Sequence, residues 1–297
     1  MKKLLKIALR SAACLLVVIA LTAAALLANS ERKLDRVVSV SVRPLPFAEN
    51  AAAVERGRYL YLARSCAECH GDDGSGRVFI DHPNGLLVRG ANLTRGAGSS
   101  VLNYNEADWV RTIRHGVKPD GRPVFVMPSE DYNRFTDADL AALVGYVRSL
   151  PAHDAPGALI RLPLIAKLAH GAGVLKDAAE KIDHSRAPSR PVTEGVSVEH
   201  GRYVAQACLG CHGAQLRGGR IPGAPPDWPP AADLTGAESA LLRYPGVEPF
   251  KTLLRTGVRP DGSQANSAMP RNKHLNDTDL EALYTFLRSG AAIDASP

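Results

Sequence analysis

A block of about 142 residues occurs twice in this chain, and that duplication constrains the fold more than any other feature. CAECH at 66–70 returns as CLGCH at 208–212. Met127 stands 57 residues after His70 and Met269 stands 57 residues after His212, and apart from the initiator the 297 residues hold no other methionine. Between these landmarks NLT at 92–94 matches DLT at 233–235, WVRTIRHG at 109–116 matches FKTLLRTG at 250–257, and VKPDG at 117–121 matches VRPDG at 258–262. After each methionine a helix is expected. Thr136 and Asn276 are its N-caps, each with an aspartate three residues on, and Leu140, Leu143, Val144, Val147 recur as Leu280, Leu283, Tyr284, Leu287 at i, i+3, i+4, i+7 spacing. ERGRYLYLARS and EHGRYVAQA predict a further helix running into each cysteine pentad. Each copy therefore reads as helix, CxxCH, a long Gly/Pro loop region, a middle helix, a methionine loop and a closing helix. PDG marks a turn at Gly121 and Gly262.

Two cysteines three apart, followed by histidine, admit a redox dithiol, half of a zinc site, a disulfide or a haem attachment. A four-cysteine zinc site would join Cys66, Cys69, Cys208 and Cys211 across the repeat, but it leaves both histidines and both methionines without a role. A thioredoxin-like dithiol needs a βαβ setting, and these motifs lie in helical, Gly/Pro-rich sequence. The haem reading uses every member. The cysteine spacing puts both sulfurs on one side of a helical turn for thioether bonds to the porphyrin vinyl groups, and the next residue carries imidazole toward the iron. Methionine supplies a soft sixth ligand that raises the reduction potential. Taken alone a methionine is usually core filler, but equal spacing from both histidines makes Met127 and Met269 the candidate partners of His70 and His212. Aromatic residues make up only 5% of the chain, so a buried cofactor would supply apolar volume that the side chains do not.

The other histidines, His82, His115, His153, His170, His184, His200 and His274, offer no ligand common to both copies and are expected at the surface or in loops; His200 aligns with Arg56. Asn92 begins an N-x-T sequon, but its twin is DLT, which favours a local loop-shaping role. GDDGSG after the first pentad lacks the lysine of a phosphate loop. Glu68, Asp72 and Asp73 read as a solvated face, and Trp109 and Phe250 as core or haem-edge aromatics.

The formal net charge is +6, yet residues 1–33 carry +5 of it: six basic side chains against Glu31. The body is nearly neutral and shows no basic patch with interleaved aromatics, so no nucleic-acid partner is expected. The leader has a cationic start and then no charge from Ser11 to Ser30, an export pattern that is also long enough to span a bilayer. The small-x-small site at Ala23–Ala25 falls inside the apolar run, which favours an uncleaved anchor over a cleaved signal. Cationic residues at the N-terminus would keep that end cytoplasmic and the body on the far side. Cys14 reads as inert within this segment. Residues 151–194 form a linker with a helix expected from Pro163 to about Ala179, read as a strap packed across both copies; a docking surface for a partner or the membrane is the other reading.

With these motifs the chain resembles the class I c-type cytochromes in tandem. The resemblance covers residues 51–150 and 195–290, with 1–33 as signal or anchor helix and 151–194 as linker. It implies an all-α fold of two cytochrome c domains behind an N-terminal transmembrane or signal helix, holding two covalently attached haem c groups. In that family the first and last helices of a domain cross at a glycine and an aromatic, and Gly57 with Tyr146 and Gly201 with Phe286 match. The leader, the strap and HGVKPDGRP look similar to membrane-anchored cytochrome c subunits of bacterial periplasmic dehydrogenases, many of which carry three haems where this chain offers two. The implied function is one-electron transfer between a periplasmic dehydrogenase or other donor and a respiratory cytochrome or oxidase, by a carrier with no catalytic residue. It would act at the periplasmic side of the inner membrane, or free in the periplasm if the leader is cleaved. A dihaem peroxidase or oxidase with one open haem is the rival, and both copies keeping their methionine argues against it.

Overall fold

The computed structural model of the chain describes residues 2–221, 224 and 227–293. It is mainly helical. The N-terminal helix α1 (Lys2–Asp35) is followed by α2 (Ala51–Ala63), the short α3 (Cys66–His70), strands β1 (Val78–Asp81) and β2 (Leu87–Arg89), α4 (Glu106–His115) and α5 (Asp137–Ser149). The linker supplies β3 (Leu159–Arg161), α6 (Leu164–Gly171) and α7 (Ala178–Lys181). The second copy repeats the helical order as α8 (Val198–Ala205), α9 (Leu209–His212), α10 (Val247–Thr256) and α11 (Asp277–Ser289).

The expected N-caps form. Thr136 Oγ1 accepts from Asp139 N at 3.0 Å, and Asn276 Oδ1 from Asp279 N at 2.7 Å. Behind them the predicted stripes are inside: Leu140, Leu143, Val144 and Val147 join Leu60, Trp109 and Ile113 in one core, and Leu280, Leu283 and Leu287 join Val204, Phe250 and Phe286 in the other. In each copy the opening and closing helices cross where the sequence has glycine. A Cβ on Gly57 would collide with the Ala142 carbonyl and lie 2.7 Å from Tyr146 Cβ. One on Gly201 would collide with the Ala282 carbonyl and lie 2.6 Å from Phe286 Cβ. Only a residue without a side chain lets these backbones approach so closely.

A small antiparallel sheet, β1–β2–β3, accompanies the mainly helical fold, and its third strand comes from the linker, with Val88 opposite Ile160. Three expectations change. The linker helix stops at Gly171, eight residues early, because Gly173 enters the left-handed region at φ 76° and the chain folds back, with Val174 N and Leu175 N both donating to Ala169 O. The strap then runs chiefly over the first copy: Ala155 N donates to Ala97 O, Ala178 N to Val124 O and Ser189 N to Arg134 O. Finally, His170 and His200, expected at the surface, are buried at 0% and 3% exposure, because each is drawn into a polar cluster made by residues distant in sequence.

Candidate haem sites and the interface between them

Each CxxCH motif sits on a single helical turn ended by a glycine, Gly71 or Gly213, both at φ 78°. All four motif cysteines are free thiols, as is the exposed Cys14. Burial pushes Cys66 and Cys208 up to about 12 and Cys69 to about 11. A redox dithiol needs the opposite shift, toward thiolate, so this environment disfavours that reading on physical grounds.

The two histidines are held identically. His70 Nδ1 lies 2.9 Å from Ala91 O, and His212 Nδ1 lies 2.8 Å from Ala232 O. A carbonyl only accepts, so Nδ1 carries the proton and donates, leaving the Nε2 lone pair available to a metal. Burial lowers the pKa of both rings, which keeps them neutral. The carbonyls that do this immediately precede the NLT and DLT motifs. Asn92 Oδ1 accepts from Thr94 N and Oγ1, and Asp233 Oδ1 accepts from Thr235 N, fixing each turn. Asn92 is fully buried, which closes the sequon to a glycan and gives the repeated triplet its structural meaning.

Met127 packs against the first core and Met269 against the second, both half-buried. The loops that present them are braced differently. After Met127 a 3₁₀ turn (Ser129–Asp131) ties back through Ser129 Oγ to Thr112 O, whereas Arg271 donates to Met269 O and Ala265 O, both at 2.9 Å. An imidazole presented by Nε2, two unpaired thiols on one turn and a half-buried thioether form a donor set that fits a covalently held haem in each copy.

The contact between the copies was not legible in the sequence. Tyr59 on α2 donates to Asp279 Oδ2 at 2.6 Å, at the N-terminus of the other copy's closing helix. Tyr203 on α8 donates to Asp139 Oδ2 at 2.6 Å, at the equivalent place in the first copy. Each phenol oxygen also accepts a backbone N–H at 3.3 Å, from Asn276 and Thr136. The interface is thus reciprocal, each copy's tyrosine securing the other's helix cap. GRY occurs in both opening helices, a signal in the repeat, but nothing in the sequence said that the tyrosines cross over.

Three features break the reciprocity. Arg64, two residues before Cys66 and buried at 5% exposure, donates to Val204 O at 2.6 Å and stands over the rings of Phe135 and Tyr203. Asp131, just beyond Met127, accepts from Gly210 N at 2.6 Å, placing the first methionine loop against the second CxxCH turn. Burial pushes the Asp131 carboxyl well above its ordinary range. The third feature is the cation on the capped aspartates: Arg56 bonds both oxygens of Asp139 at 2.9 and 3.1 Å, but Asp279 has His200, with Nε2 at 3.1 Å.

That substitution makes one half of the interface pH-dependent. The Asp279 contact, assisted by the Gly195 carbonyl and the charge of Glu194, raises the His200 pKa against desolvation. The stabilisation is fully present below the unfolded histidine value of about 6.5 and is lost as pH rises through the raised folded value. Thermal stability followed at the second copy should therefore fall as pH rises above the unfolded histidine value of about 6.5, and His200→Arg should flatten that dependence. An unchanged slope in the variant would refute the assignment.

Residues 52–147 match the family model described as cytochrome c oxidase, cbb3-type, subunit III, and residues 198–291 match that of cytochrome c. Among curated proteins, the fructose dehydrogenase cytochrome subunit of Gluconobacter japonicus is 28% identical over 275 residues, covering 83% of this chain and 54% of its own length. The gluconate 2-dehydrogenase cytochrome c subunit of Pantoea cypripedii is 27% identical over 277 residues, covering 83% and 62%. The cytochrome c subunit of the alcohol dehydrogenase (quinone) of Gluconobacter oxydans (strain 621H) is 25% identical over 277 residues, covering 82% and 55%. The chain thus spans between about half and three-fifths of the length of these relatives. Paired helix crossings, paired CxxCH turns with identically held histidines, and the two family matches agree: this chain carries two cytochrome c domains in tandem.

Proposed function

We propose that the protein is a dihaem electron-transfer subunit that passes electrons one at a time between a periplasmic dehydrogenase and the respiratory chain. Cys66 and Cys69 would hold one haem c and Cys208 and Cys211 the other, with His70 and Met127, and His212 and Met269, as the two axial pairs. The observation that carries this reading is the identical tethering of His70 and His212 to Ala91 O and Ala232 O, each with a methionine 57 residues on. Haem c supplies reversible one-electron chemistry at its iron. The chain's own residues prepare for it. Each backbone carbonyl fixes one ring tautomer, Met127 and Met269 would each supply the second ligand in their own copy, and the Asp131–Gly210 contact joins the first methionine loop to the second CxxCH turn. The dehydrogenase cytochrome subunits among its relatives support a dehydrogenase as donor, and α1, with its uncharged run from Ser11 to Ser30, supports attachment to the inner membrane with the body on the periplasmic side.

Purification of the full chain from membranes, haem quantification, redox titration and mass spectrometry of co-purifying proteins test this together. Two covalently bound haems per chain, both low-spin, and a co-purifying dehydrogenase are expected. A high-spin haem that turns over peroxide would overturn the carrier reading in favour of a dihaem peroxidase.

A further inference from the structure

From Lys2 to Thr22 every residue of α1 is exposed, with side chains such as Leu16 and Leu21 at 66%. Toward its end one stripe, Ala23, Leu26, Leu27, Ser30, Lys33 and Leu34, turns inward against α6. The fit is close. A Cβ on Gly171 would collide with the Leu26 carbonyl and lie 2.7 Å from its carbon, and Asn29 Nδ2 donates to Gly171 O at 2.7 Å. The buried His170 meets Ser30 Oγ at 2.9 Å through Nδ1, and Lys167 pairs with Glu31 at 2.9 Å. Arg36 takes both oxygens of Asp177, and Lys33 pairs with Glu180, so the acidic groups around His170 are already neutralised by cations from the end of α1.

The level of this contact along α1 is informative. Glu31 is the first charge after the uncharged run, and Leu26 lies five residues earlier, about 7 Å deeper along the helix axis. The strap is therefore seated below the point where α1 becomes polar, and beyond Gly171 it turns on Ala172, Gly173 and Val174, all exposed, Val174 at 74%. No charge interrupts it until Lys176. The backbone N–H groups of this tip are satisfied internally: Ala172 N by Leu168 O, Gly173 N by His170 O, and Val174 N and Leu175 N by Ala169 O. A loop meant for water does not need this; a loop in hydrocarbon does, because unpaired backbone groups there cost several kcal/mol each. Lys176, exposed just beyond the tip, is placed to reach lipid phosphates.

We propose that the tip of the strap, Ala172–Val174, inserts into the periplasmic leaflet of the bilayer beside α1, so that the protein holds the membrane by a spanning helix and an interfacial wedge. The depth of about 7 Å falls in the range of elements that lie at the headgroup–acyl boundary. A bilayer would cover the exposed apolar surface of α1, and the tip continues that surface. The inference rests on α1 being a membrane anchor. It also gives the strap a purpose: the His170 ring packs edge-on against Phe125 at 5.0 Å, two residues before Met127, so the same clamp ties the membrane contact to the first haem-ligand loop.

The test uses the full haem-loaded chain in liposomes, in a Cys14→Ser background, with a nitrobenzoxadiazole probe on Val174→Cys or, separately, on Val18→Cys in α1. Lipids carrying a nitroxide on acyl carbon 5 should quench the probe at 174, aqueous iodide should not, and Gly171→Leu, which pushes the strap off α1, should reverse that preference. Iodide quenching at 174 with lipid quenching at 18 overturns the wedge while leaving the anchor intact. Absence of lipid quenching at both positions removes the anchor and the wedge together.

Discussion

Met127→Ala is expected to leave the second haem unchanged while the first loses its thioether ligand, its sulfur-to-iron absorption band and its high potential. Met269→Ala should do the reverse. Axial ligands command roughly 0.8 V of haem potential, and loss of methionine should lower the affected centre by on the order of 0.1 V or more. The selectivity follows from the fold, since Met127 packs with the first core and Met269 with the second. The loops predict a further asymmetry. Arg271 braces the Met269 backbone, so that loop should keep its shape when the side chain is cut, and exogenous imidazole should fill the opened site without loss of stability. Two variant spectra identical to the parent would sink the ligand assignment, and a single shared change would show that the methionines act through folding.

Gly201→Leu should unfold the second domain and spare covalent haem attachment and spectra in the first; Gly57→Leu should do the converse. An added side chain at either glycine runs into the backbone carbonyl of the closing helix, where no rotamer offers relief. Overpacking at a contact made of backbone costs about 3 kcal/mol or more, a large part of what a domain of about 100 residues has to spare. The reciprocal tyrosines refine the expectation. Because Tyr59 caps α11 and Tyr203 caps α5, loss of one domain leaves a buried aspartate in the other without its phenol, so the surviving domain should melt slightly earlier. Differential scanning calorimetry of each variant checks both parts. Two full transitions in Gly201→Leu would show that the helices can separate at no great cost.

Much of this is legible in the sequence. Periodicity gave the stripes on α5 and α11, capping chemistry gave their starts, and the repeat turned two ordinary methionines into candidate ligands. Local patterns of this kind survive folding because they are set by neighbours within a few residues. The failures share a cause. The apolar spacing that predicts a strap helix to Ala179 runs on past Gly171, but Gly173 turns the chain back in the left-handed region, and Gly171 just before it is seated on Leu26, about 140 residues away in the chain. Sequence alone puts His170 and His200 at the surface, where an isolated histidine in a linker or first turn usually lies; Ser30, Asp177 and Asp279 draw them inside. Asp131 carried no mark in the sequence because its partner, Gly210 N, is a backbone group in the other domain.

The sequence by itself determined the unit: a helix, a CxxCH turn, a methionine loop and a closing helix, made twice. These are short-range or duplicated features, and one copy validates the other. Tertiary structure alone decided how the units are joined: tyrosines exchanged across the interface, Arg56 facing one aspartate where His200 faces the other, and a strap that binds the first domain to the N-terminal helix. Those contacts unite residues 64 to 220 apart in the chain, and a buried charge or a glycine seat acquires meaning only when its distant partner arrives.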